Sequence, residues 1–459
     1  MLGIVKKIIP KRIFKSVQPI YHYVLALLGA MIYRFPSRRI LVIGVTGTKG
    51  KSTTTEIINA IFESANYKTA LQNTLRFKIG DSEKRNLYKM SMPGRFFMQK
   101  FLREAVDSNC SVAILEMTSE GARQYRHKFI HMDALIFTNL AKEHIESHGS
   151  YENYVNAKLS IARELEKSTK KVWLSFERAT PARLDGMSGR RGLFEENFSP
   201  AIFVNKDDKE AEKFLSLNIK NKITYSLNDA VGVRSNENSS SFQIGKIVIH
   251  SKLPGLFNVS NMLGAIACAK FFKIPEDNIK SGIESTEKIR GRMEKVDLGQ
   301  NFDVVVDYAH TPDSLRAVYE TYSPTPNPLP KGEGAKKIKL ICVLGNTGGG
   351  RDTWKRGEMG QIADKYCDHI ILTNEDPYDE DPRKIVEGMR SVIKNKPVDI
   401  IMDRRIAIHT AISRAKSGDA VLITGKGTDP YIMEAHGKKT SWDDATVVRE
   451  ELKKILHNS

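Results

Sequence analysis

A glycine-rich loop carries the residues of this chain that are best suited to phosphate chemistry. Gly44, Gly47 and Gly50 are followed directly by Lys51 and Ser52, in the spacing G-x-x-G-x-x-G-K-S. Glycines allow backbone N–H groups to surround phosphate oxygens, a lysine reaches the terminal phosphates, and a serine hydroxyl can ligate magnesium. The spacing differs from the strict Walker sequence, but it predicts a site for a nucleoside triphosphate.

The sequence around this loop predicts the elements that must position it. An apolar, strand-like run precedes the loop and a helical pattern, Glu56–Phe62, follows it. Further apolar runs alternate with helical patterns such as Arg95–Val106 and Tyr151–Glu166, which indicates mainly parallel sheets. We therefore predict an α/β fold, with a P-loop central ATPase domain over residues 40–296 and a C-terminal Rossmann-like α/β domain over residues 297–459. The strand-like runs are Ile40–Ile43, Val112–Leu115, Ala134–Phe137, Val172–Leu174, Val304–Val306, Ile338–Leu344, His369–Leu372, Asp399–Ile401 and Ala420–Ile423.

Two stretches depart from this alternation. Between residues 220 and 252, the short runs Ile223–Tyr225, Phe242–Ile244 and Ile247–Ile249 are separated by polar turns, which predicts a small antiparallel excursion. Ser323–Gly334 is rich in proline and glycine, and we expect an exposed insertion without catalytic residues there.

Residues 1–39, the N-terminal segment, are basic and apolar. They contain eight Lys and Arg residues and no Asp or Glu. The apolar run Ile20–Tyr33 is shorter than the about 20 residues that a membrane-spanning helix needs. Contact with an anionic membrane surface and packing on the protein's own surface both fit this pattern. A secretory signal is not expected, because no small-residue cleavage site precedes the glycine loop.

The net charge and the cysteines indicate which classes of ligand and site to expect. The formal net charge of +17 suits anionic small-molecule substrates, and without an accompanying nucleic-acid motif it does not predict RNA or DNA binding. Cys110, Cys268, Cys342 and Cys367 are far apart and include no C-x-x-C pair. The sequence therefore predicts neither a zinc site nor a disulfide framework, and favours a reducing compartment.

Seven motifs give this chain a resemblance to a known family. In order, they are Gly47–Thr54, Thr138–His144, Tyr154–Lys158, Asn205–Asp208, Phe257–Asn261, Gly291–Glu294 and Asp307–Pro312. From about residue 40 onwards the chain resembles the Mur ligases, and most of all the branch that adds the third amino acid to UDP-N-acetylmuramoyl-dipeptide (the MurE type). The resemblance implies an ATP-dependent ligase of peptidoglycan precursor synthesis. Such an enzyme phosphorylates a carboxylate, and an amine then attacks the acyl phosphate.

The resemblance also implies roles for individual residues. Lys51, Glu116, His144 and Lys158 would be catalytic, with Lys51 on the β- and γ-phosphates of ATP. Two magnesium ions would be held by Ser52, Glu116, His144 and Lys158, the last as a carbamate formed with CO2. The other ATP-binding residues would be Gly47, Thr48, Lys49, Gly50 and Thr53 in the loop, Asn261 at the adenine, Arg292 at the phosphates and Asp307 at the ribose.

The C-terminal domain would bind the incoming amino acid. Arg356 matches the position that holds the α-carboxylate, a task that suits a bidentate guanidinium. Tyr378 replaces the arginine of the D-N-P-R segment of diaminopimelate-adding members, which removes the expected partner of a distal carboxylate. The other amino-acid-binding candidates are Glu375, Asp376, Gly425 and Asp429. The carboxylates of Glu375, Asp376 and Asp429 favour a cationic side chain on the incoming amino acid, and hence lysine over diaminopimelate.

The acceptor is less well defined by the sequence. Typical members have a UDP-binding domain ahead of the glycine loop, which residues 1–43 do not resemble. Met92 stands in place of a substrate-contacting threonine, and Glu120 in place of a histidine. The acceptor could be a UDP-linked peptide bound by other means, a lipid-linked or truncated precursor, or a molecule outside cell-wall synthesis.

Two other functions stay open. A polyglutamate synthetase, either folate-linked or of the membrane-associated capsule type, is a second ligase hypothesis, and the basic apolar N-terminus resembles the capsule type in general plan. A non-catalytic Mur-like scaffold is the third, although all four catalytic candidates are present and favour an enzyme. We expect a cytoplasmic monomer, with peripheral contact to the inner face of the membrane as an open alternative.

Overall fold

The computed structural model describes residues 11–168, 171–176, 193–322 and 338–457. The predicted insertion Ser323–Gly334 lies outside the described residues. Within the described ranges, no helix is both long and apolar enough to cross a membrane.

A mainly parallel sheet forms the centre of the first part of the chain. The strands there are β1 Leu41–Thr46, β2 Thr69–Gln72, β3 Arg76–Ile79, β4 Ser82–Arg85, β5 Val112–Met117, β6 Ala134–Phe137, β7 Lys171–Phe176, β8 Leu193–Phe198, β9 Ala201–Asn205 and β10 Asn221–Tyr225. Eight of them form one sheet in the order β10-β9-β6-β1-β5-β2-β3-β4, with antiparallel pairing at the β2–β3 and β3–β4 junctions. This architecture agrees with the α/β prediction.

Helices cover both faces of this sheet. They are α1 Lys11–Ile32, α2 Lys51–Ser64, α3 Arg95–Asp107, α4 Ser119–Arg123, α5 Ile145–His148, α6 Tyr151–Glu166, α7 Ala211–Leu215, α8 Leu256–Phe271 and α9 Glu276–Glu284. Ile43 on β1 faces the core formed with α2, α8 and α9. The residue before it, Val42, faces the core formed with α3, α6 and α7 on the other side of the sheet. Because β1 is buried on both faces, it is apolar throughout rather than alternating.

Two predictions about the first sheet are wrong. Val172–Leu174 was expected in the parallel sheet, but β7 pairs antiparallel with β8 in a separate two-stranded sheet. Ile223–Tyr225 was expected in the antiparallel excursion, but it lies in β10, parallel to β9, because the buried Tyr225 packs into the core of the large sheet. The antiparallel excursion is confirmed for the strands that follow, β11 Val231–Ser235, β12 Ser240–Ile244 and β13 Ile247–Ser251.

The last part of the chain builds a second sheet. Its strands are β14 Glu294–Lys295, β15 Asp303–Asp307, β16 Leu340–Leu344, β17 His369–Leu372, β18 Val398–Ile400 and β19 Ala420–Thr424, in the order β14-β15-β19-β16-β17-β18. Around it lie α10 Pro312–Tyr322, α11 Lys355–Tyr366, α12 Pro382–Arg390, α13 Arg404–Arg414 and α14 Asp444–His457, and the hairpin β20 Tyr431–Met433 with β21 Lys439–Ser441. Ligands of such sheets bind beyond the carboxyl ends of the parallel strands, and the predicted site residues lie there.

A disulfide corrects the prediction drawn from the cysteines. Cys342 on β16 is bonded to Cys367, which follows α11, at a sequence separation of 25. The crossover helix α11 returns the chain over the strand it left, and this brings the two Cα atoms to 6.0 Å. Spacing in sequence does not show this proximity, because it arises from the strand–helix packing. Cys110 and Cys268 are buried free thiols.

Candidate active site

The glycine loop links β1 to the amino end of α2, as predicted. Gly47 and Gly50 have φ angles of 150° and 82°. A Cβ atom on Gly47 would lie 1.9 Å from the Thr138 hydroxyl, and one on Gly50 would lie 2.1 Å from the side-chain oxygen of Asn261. Both positions therefore require glycine, because neighbouring segments approach the loop too closely for any side chain. The Lys51 ammonium donates to the carbonyl of Thr48 at 2.8 Å.

Glu116 lies at the centre of a buried hydrogen-bond network beside the loop. Its two carboxylate oxygens accept from the hydroxyls of Ser52 at 2.8 Å, Thr74 at 2.9 Å and Ser91 at 2.8 Å, and from the backbone N–H of Thr74 at 2.9 Å. Burial alone would raise the pKa of Glu116, but the charge of Lys51 and these hydrogen bonds lower it. Glu116 is thus a fixed carboxylate in contact with the loop serine, which is the arrangement expected of a magnesium site.

Lys158 is buried on α6, beneath the glycine loop. Its side chain is among the most deeply buried of the described chain, and its amine donates to the carbonyl of Gly47 at 2.6 Å. Burial, reinforced by the charge of Lys51, lowers the pKa of Lys158 well below its usual value. This shift is toward the uncharged amine, which is the form that reacts with CO2.

His144 lies at the start of α5, with φ of 57°. Its ring and the amine of Lys158 both lie close to the ring of Tyr154, at 6.3 Å between ring centroids and 4.9 Å from the Lys158 nitrogen to the centroid. The structure thus brings Lys158 and His144 to the same side of the loop.

Glu143 is a buried carboxylate that the sequence reasoning did not single out. It accepts from the Lys49 ammonium at 3.2 Å and from Nε2 of His310 at 2.8 Å, and Nε2 of His144 lies 4.0 Å away. Burial alone would raise the pKa of Glu143, but the positive charge of Lys49, with smaller effects of both histidines, holds it well below its usual value. Glu143 and His310 both lie inside quoted motifs, so position within a motif was the available signal.

Arg292, just before β14, and Asp307, at the carboxyl end of β15, lie within electrostatic range of each other. The Asp307 carboxylate accepts from the backbone N–H groups of Met293 and Ala309, both at 2.7 Å. The Arg292 guanidinium lies 4.6 Å from the centroid of the Tyr308 ring. Asp307 therefore holds the chain that carries Arg292 and Tyr308, and a nucleotide role for its carboxylate stays a prediction. Asn261 lies against the loop at Gly50, and contact with adenine likewise stays a prediction.

The predicted acidic pocket is largely neutralised, which corrects the argument for lysine. The Lys426 ammonium donates to Asp376 at 2.9 Å and to Asp429 at 2.8 Å, and Lys89 of the first domain lies 2.5 Å from Asp376 and 3.1 Å from Asp429. Burial alone would raise the pKa of Asp376, but the two lysines lower it. Two of the three predicted carboxylates therefore already have partners: Lys426 lies three residues before Asp429, and Lys89 reaches both carboxylates from the first domain.

Glu375 is the third carboxylate, and it differs from the other two. One of its oxygens accepts from Thr347 at 2.9 Å, whereas the other, Oε2, is buried without a hydrogen-bond partner among the described residues. A Cβ atom on Gly425 would lie 2.4 Å from that oxygen, so the glycine allows the carboxylate to approach. Burial and the charge of Asp376 raise the pKa of Glu375. The structure thus brings Glu375 and Gly425, two of the amino-acid-binding candidates, into contact.

Two arginines lie among the amino-acid-binding candidates: one is paired with a carboxylate and the other is exposed. The guanidinium of Arg356 forms a bidentate pair with Glu380, at 2.7 and 2.9 Å, so an incoming carboxylate would have to replace Glu380. Arg351 is exposed and lies 4.5 Å from the ring centroid of Tyr378, donating to its hydroxyl at 3.2 Å. The tyrosine that replaces the expected arginine therefore carries another arginine on its ring. Sequence reasoning missed Arg351.

The donors present fit magnesium held jointly by protein and nucleotide. Among the described residues, no group of three or more His, Cys, Asp or Glu side chains could hold a metal unaided. Magnesium bound with ATP commonly takes one or two protein ligands, with phosphate and water oxygens completing the octahedron. Ser52 and Glu116 fit this requirement. His144 and Lys158 would fit a second ion if the lysine supplied oxygen ligands as a carbamate.

Comparison with protein families identifies the chain. Residues 45–180 and 189–269 match the Mur ligase middle domain, and residues 291–427 match the Mur ligase glutamate ligase domain. The protein therefore belongs to the Mur ligase family and is an ATP-dependent ligase.

Curated relatives and solved structures show which members of the Mur ligase family are similar to this chain. The chain is 34% identical to UDP-N-acetylmuramoyl-L-alanyl-D-glutamate–2,6-diaminopimelate ligase of Syntrophomonas wolfei, over 94% of this chain and 81% of that protein. It is 33% identical to the enzyme of the same name from Bacillus licheniformis, over 93% and 82%. A solved structure of a ligase of that name aligns with a TM-score of 0.56 at 25% identity, over 91% and 79%. Folylpolyglutamate synthase of Mycobacterium tuberculosis aligns with a TM-score of 0.63 at 16% identity, over 88% and 92%, and this likeness shows the fold alone.

Proposed function

We propose that this ligase uses ATP to join a diamino acid to a UDP-N-acetylmuramoyl-dipeptide-like acceptor, through an acyl phosphate, in the cytoplasm. The observation that carries the proposal is the loop network, in which the Ser52 hydroxyl meets a buried, ionised Glu116 next to Lys51. The relatives that match nearly the whole chain are diaminopimelate ligases, and they are the basis for the proposed substrate class. A non-catalytic scaffold would have no need for such a network.

The residues around the loop would perform the first half-reaction. The backbone N–H groups of the loop and the Lys51 ammonium, released from the Thr48 carbonyl, bind the phosphates and neutralise their charge. Magnesium held by Ser52 and Glu116 would stabilise charge on the transferred phosphoryl group. The acceptor carboxylate takes the γ-phosphoryl group and ADP leaves. The amine then attacks the acyl carbon, phosphate departs, and the amine loses a proton to give the amide.

We infer that Lys158 carries a carbamate in the working enzyme. A carbamate forms when an uncharged amine attacks CO2, and burial favours that uncharged form here. The product would add two oxygens at the buried position beside the Gly47 carbonyl. The negative charge of the carbamate would also offset the positive charge of Lys51, which lowers the pKa of the Lys158 amine.

For the amino acid, we propose diaminopimelate rather than lysine. The neutralised pair Asp376 and Asp429 no longer favours a cationic side chain. Arg351, stacked on Tyr378, offers an exposed guanidinium beside the position where the resemblance expects one. A guanidinium fork recognises a carboxylate, which diaminopimelate has at its distal end and lysine lacks.

Trapping with hydroxylamine tests the acyl phosphate. The purified protein, ATP, magnesium and UDP-N-acetylmuramoyl-L-Ala-D-Glu are mixed without any amino acid, and hydroxylamine is added as the nucleophile. We expect a hydroxamate of the acceptor, detected by mass spectrometry, and none with Lys51→Ala. ADP release without any hydroxamate would contradict the proposed intermediate.

A further inference from the structure

Helix α1 presents large apolar side chains to solvent. Ile20 is 65% exposed, Val24 46%, Leu28 42%, Met31 55% and Ile32 63%. At 3.6 residues per turn these positions fall on one side of the helix, within an arc of about 120°. A contiguous apolar face of this kind on a protein surface indicates a site of interaction, whereas single exposed apolar residues do not.

The opposite face of α1 packs on the protein through small residues. Ala26 and Ala30 are buried, and a Cβ atom on Gly29 would lie 3.6 Å from the Cα of Phe96 on α3. An ordinary surface helix turns its large apolar residues inward and its polar residues outward. In α1 the small residues face inward and the large apolar ones face outward, so packing on α3 does not explain the outer face.

The charge around this face is positive. The N-terminal segment contains eight basic and no acidic residues, and the first carboxylate of the chain is Glu56. Arg34, Arg38 and Arg39 are exposed just beyond the end of α1. Asp107 on α3 lies within electrostatic range of Arg34 and Arg39, but it is already paired with Arg103. The surroundings of the apolar face therefore suit an anionic partner.

We propose that α1 lies flat on the surface of an anionic phospholipid bilayer, with its outer face in the region between headgroups and acyl chains. An apolar helix face flanked by basic residues, on a helix that cannot span the bilayer, is typical of such binding. The basic residues would contact lipid phosphates. A second copy of the chain is a poorer occupant, because two such faces in contact would bring two basic segments together.

Vesicle co-sedimentation of the full-length protein tests this docking. Vesicles of phosphatidylcholine alone are compared with vesicles that also contain phosphatidylglycerol, each at low and high salt. We expect binding to the anionic vesicles that weakens at high salt. In the variant Val24→Glu/Leu28→Glu it should fall by about tenfold or more, since two carboxylates enter the apolar face. The matched control is Val231→Glu/Ile406→Glu, which places the same charges at exposed apolar positions elsewhere, 69% and 55% exposed.

Each outcome either supports or overturns the docking of α1 on an anionic bilayer. Selective loss in the α1 variant, with thermal unfolding and ATP binding unchanged, supports the proposal. Equal binding of wild type and α1 variant, or no binding of wild type to anionic vesicles, overturns it. If light scattering shows a wild-type dimer that the α1 variant abolishes, and vesicles do not bind, the occupant is a second copy and the lipid proposal is wrong.

Discussion

At the scale of single residues, the site depends on how burial distributes charge around the glycine loop. The charge of Lys51 and hydrogen bonds outweigh burial and lower the pKa of Glu116, whereas burial dominates at Lys158 and lowers the pKa of its amine. Both roles were implied by the resemblance; the structure brings Ser52 and Glu116 into contact, and their binding of magnesium stays a prediction. The pairs that Lys89 forms with Asp376 and Asp429, and that Lys426 forms with Asp376, could not be predicted, because no local pattern connects residues so far apart.

Replacing Lys158 tests the carbamate directly. Lys158→Ala should lower kcat by about a thousandfold or more, the scale seen when a group that stabilises transition-state charge is lost. Short carboxylates such as acetate should restore part of the activity by occupying the space left by the carbamate. Steady-state kinetics with and without acetate measure this, and Lys142→Ala, at an exposed lysine nearby, is the control. Full activity of Lys158→Ala would remove the residue from catalysis.

Glu143 should be important for stability as well as for the site. Glu143→Gln leaves the partly exposed Lys49 and His310 beside a neutral amide, and losing hydrogen bonds to a charged group costs about 1.5–3 kcal/mol in the free energy of unfolding. Urea denaturation followed by fluorescence gives this value. Glu152→Gln, in which the carboxylate is exposed, should change it by less than about 1 kcal/mol. Equal effects of the two substitutions would count against the buried cluster.

At the scale of elements, the α/β alternation was predictable because hydrophobic periodicity follows from burial. The errors fell on β7 and β10, whose partners depend on tertiary context that a short apolar run does not specify. The disulfide between Cys342 and Cys367 was missed for the same reason. The loop helix α2 is held by α9 at close range, since a Cβ atom on Gly282 would lie 2.5 Å from the Cα of Ile61.

Gly282→Ala should therefore destabilise the helix pair that supports the loop. The added methyl meets backbone rather than a flexible side chain, so the helices must separate, and overpacking of this kind costs about 1–3 kcal/mol. Calorimetric unfolding and the Kd for ATP measure the effect. Gly357→Ala on α11, where nothing lies within 4 Å, is the matched control and should be neutral or stabilising. A Gly282→Ala protein as stable as wild type would show that this contact is not tight.

At the scale of the whole molecule, polar side chains of the first domain contact side chains of the second. Lys89 reaches the Asp376–Asp429 pair, Arg85 pairs with Asp443 at 2.7 Å, and His310 donates to Glu143 at 2.8 Å. Ionic contacts of this kind can break and re-form, which suits a ligase that must admit its substrates and then exclude water. Sequence motifs identify such residues within each domain, but they do not show which residues of the other domain are their partners.

Lys89 should set amino-acid preference through this contact. Lys89→Gln leaves two carboxylates with one lysine, so we expect the KM for diaminopimelate to rise about tenfold, a change of about 1.4 kcal/mol, and the rate with lysine to gain relative to it. Initial-rate kinetics with both amino acids provide the test, with the exposed Lys84→Gln as the control. An unchanged ratio of kcat/KM values would separate Lys89 from specificity.

The most direct test of the account is amino-acid-dependent ADP release by the wild-type protein. The assay contains ATP, magnesium and UDP-N-acetylmuramoyl-L-Ala-D-Glu, and meso-diaminopimelate, lysine, ornithine and glutamate are supplied in parallel. We predict turnover with diaminopimelate and a product heavier than the acceptor by one residue of that amino acid. ATP binding without release in the presence of any of the four amino acids, or release with glutamate alone, would contradict the assignment as a tripeptide-forming ligase.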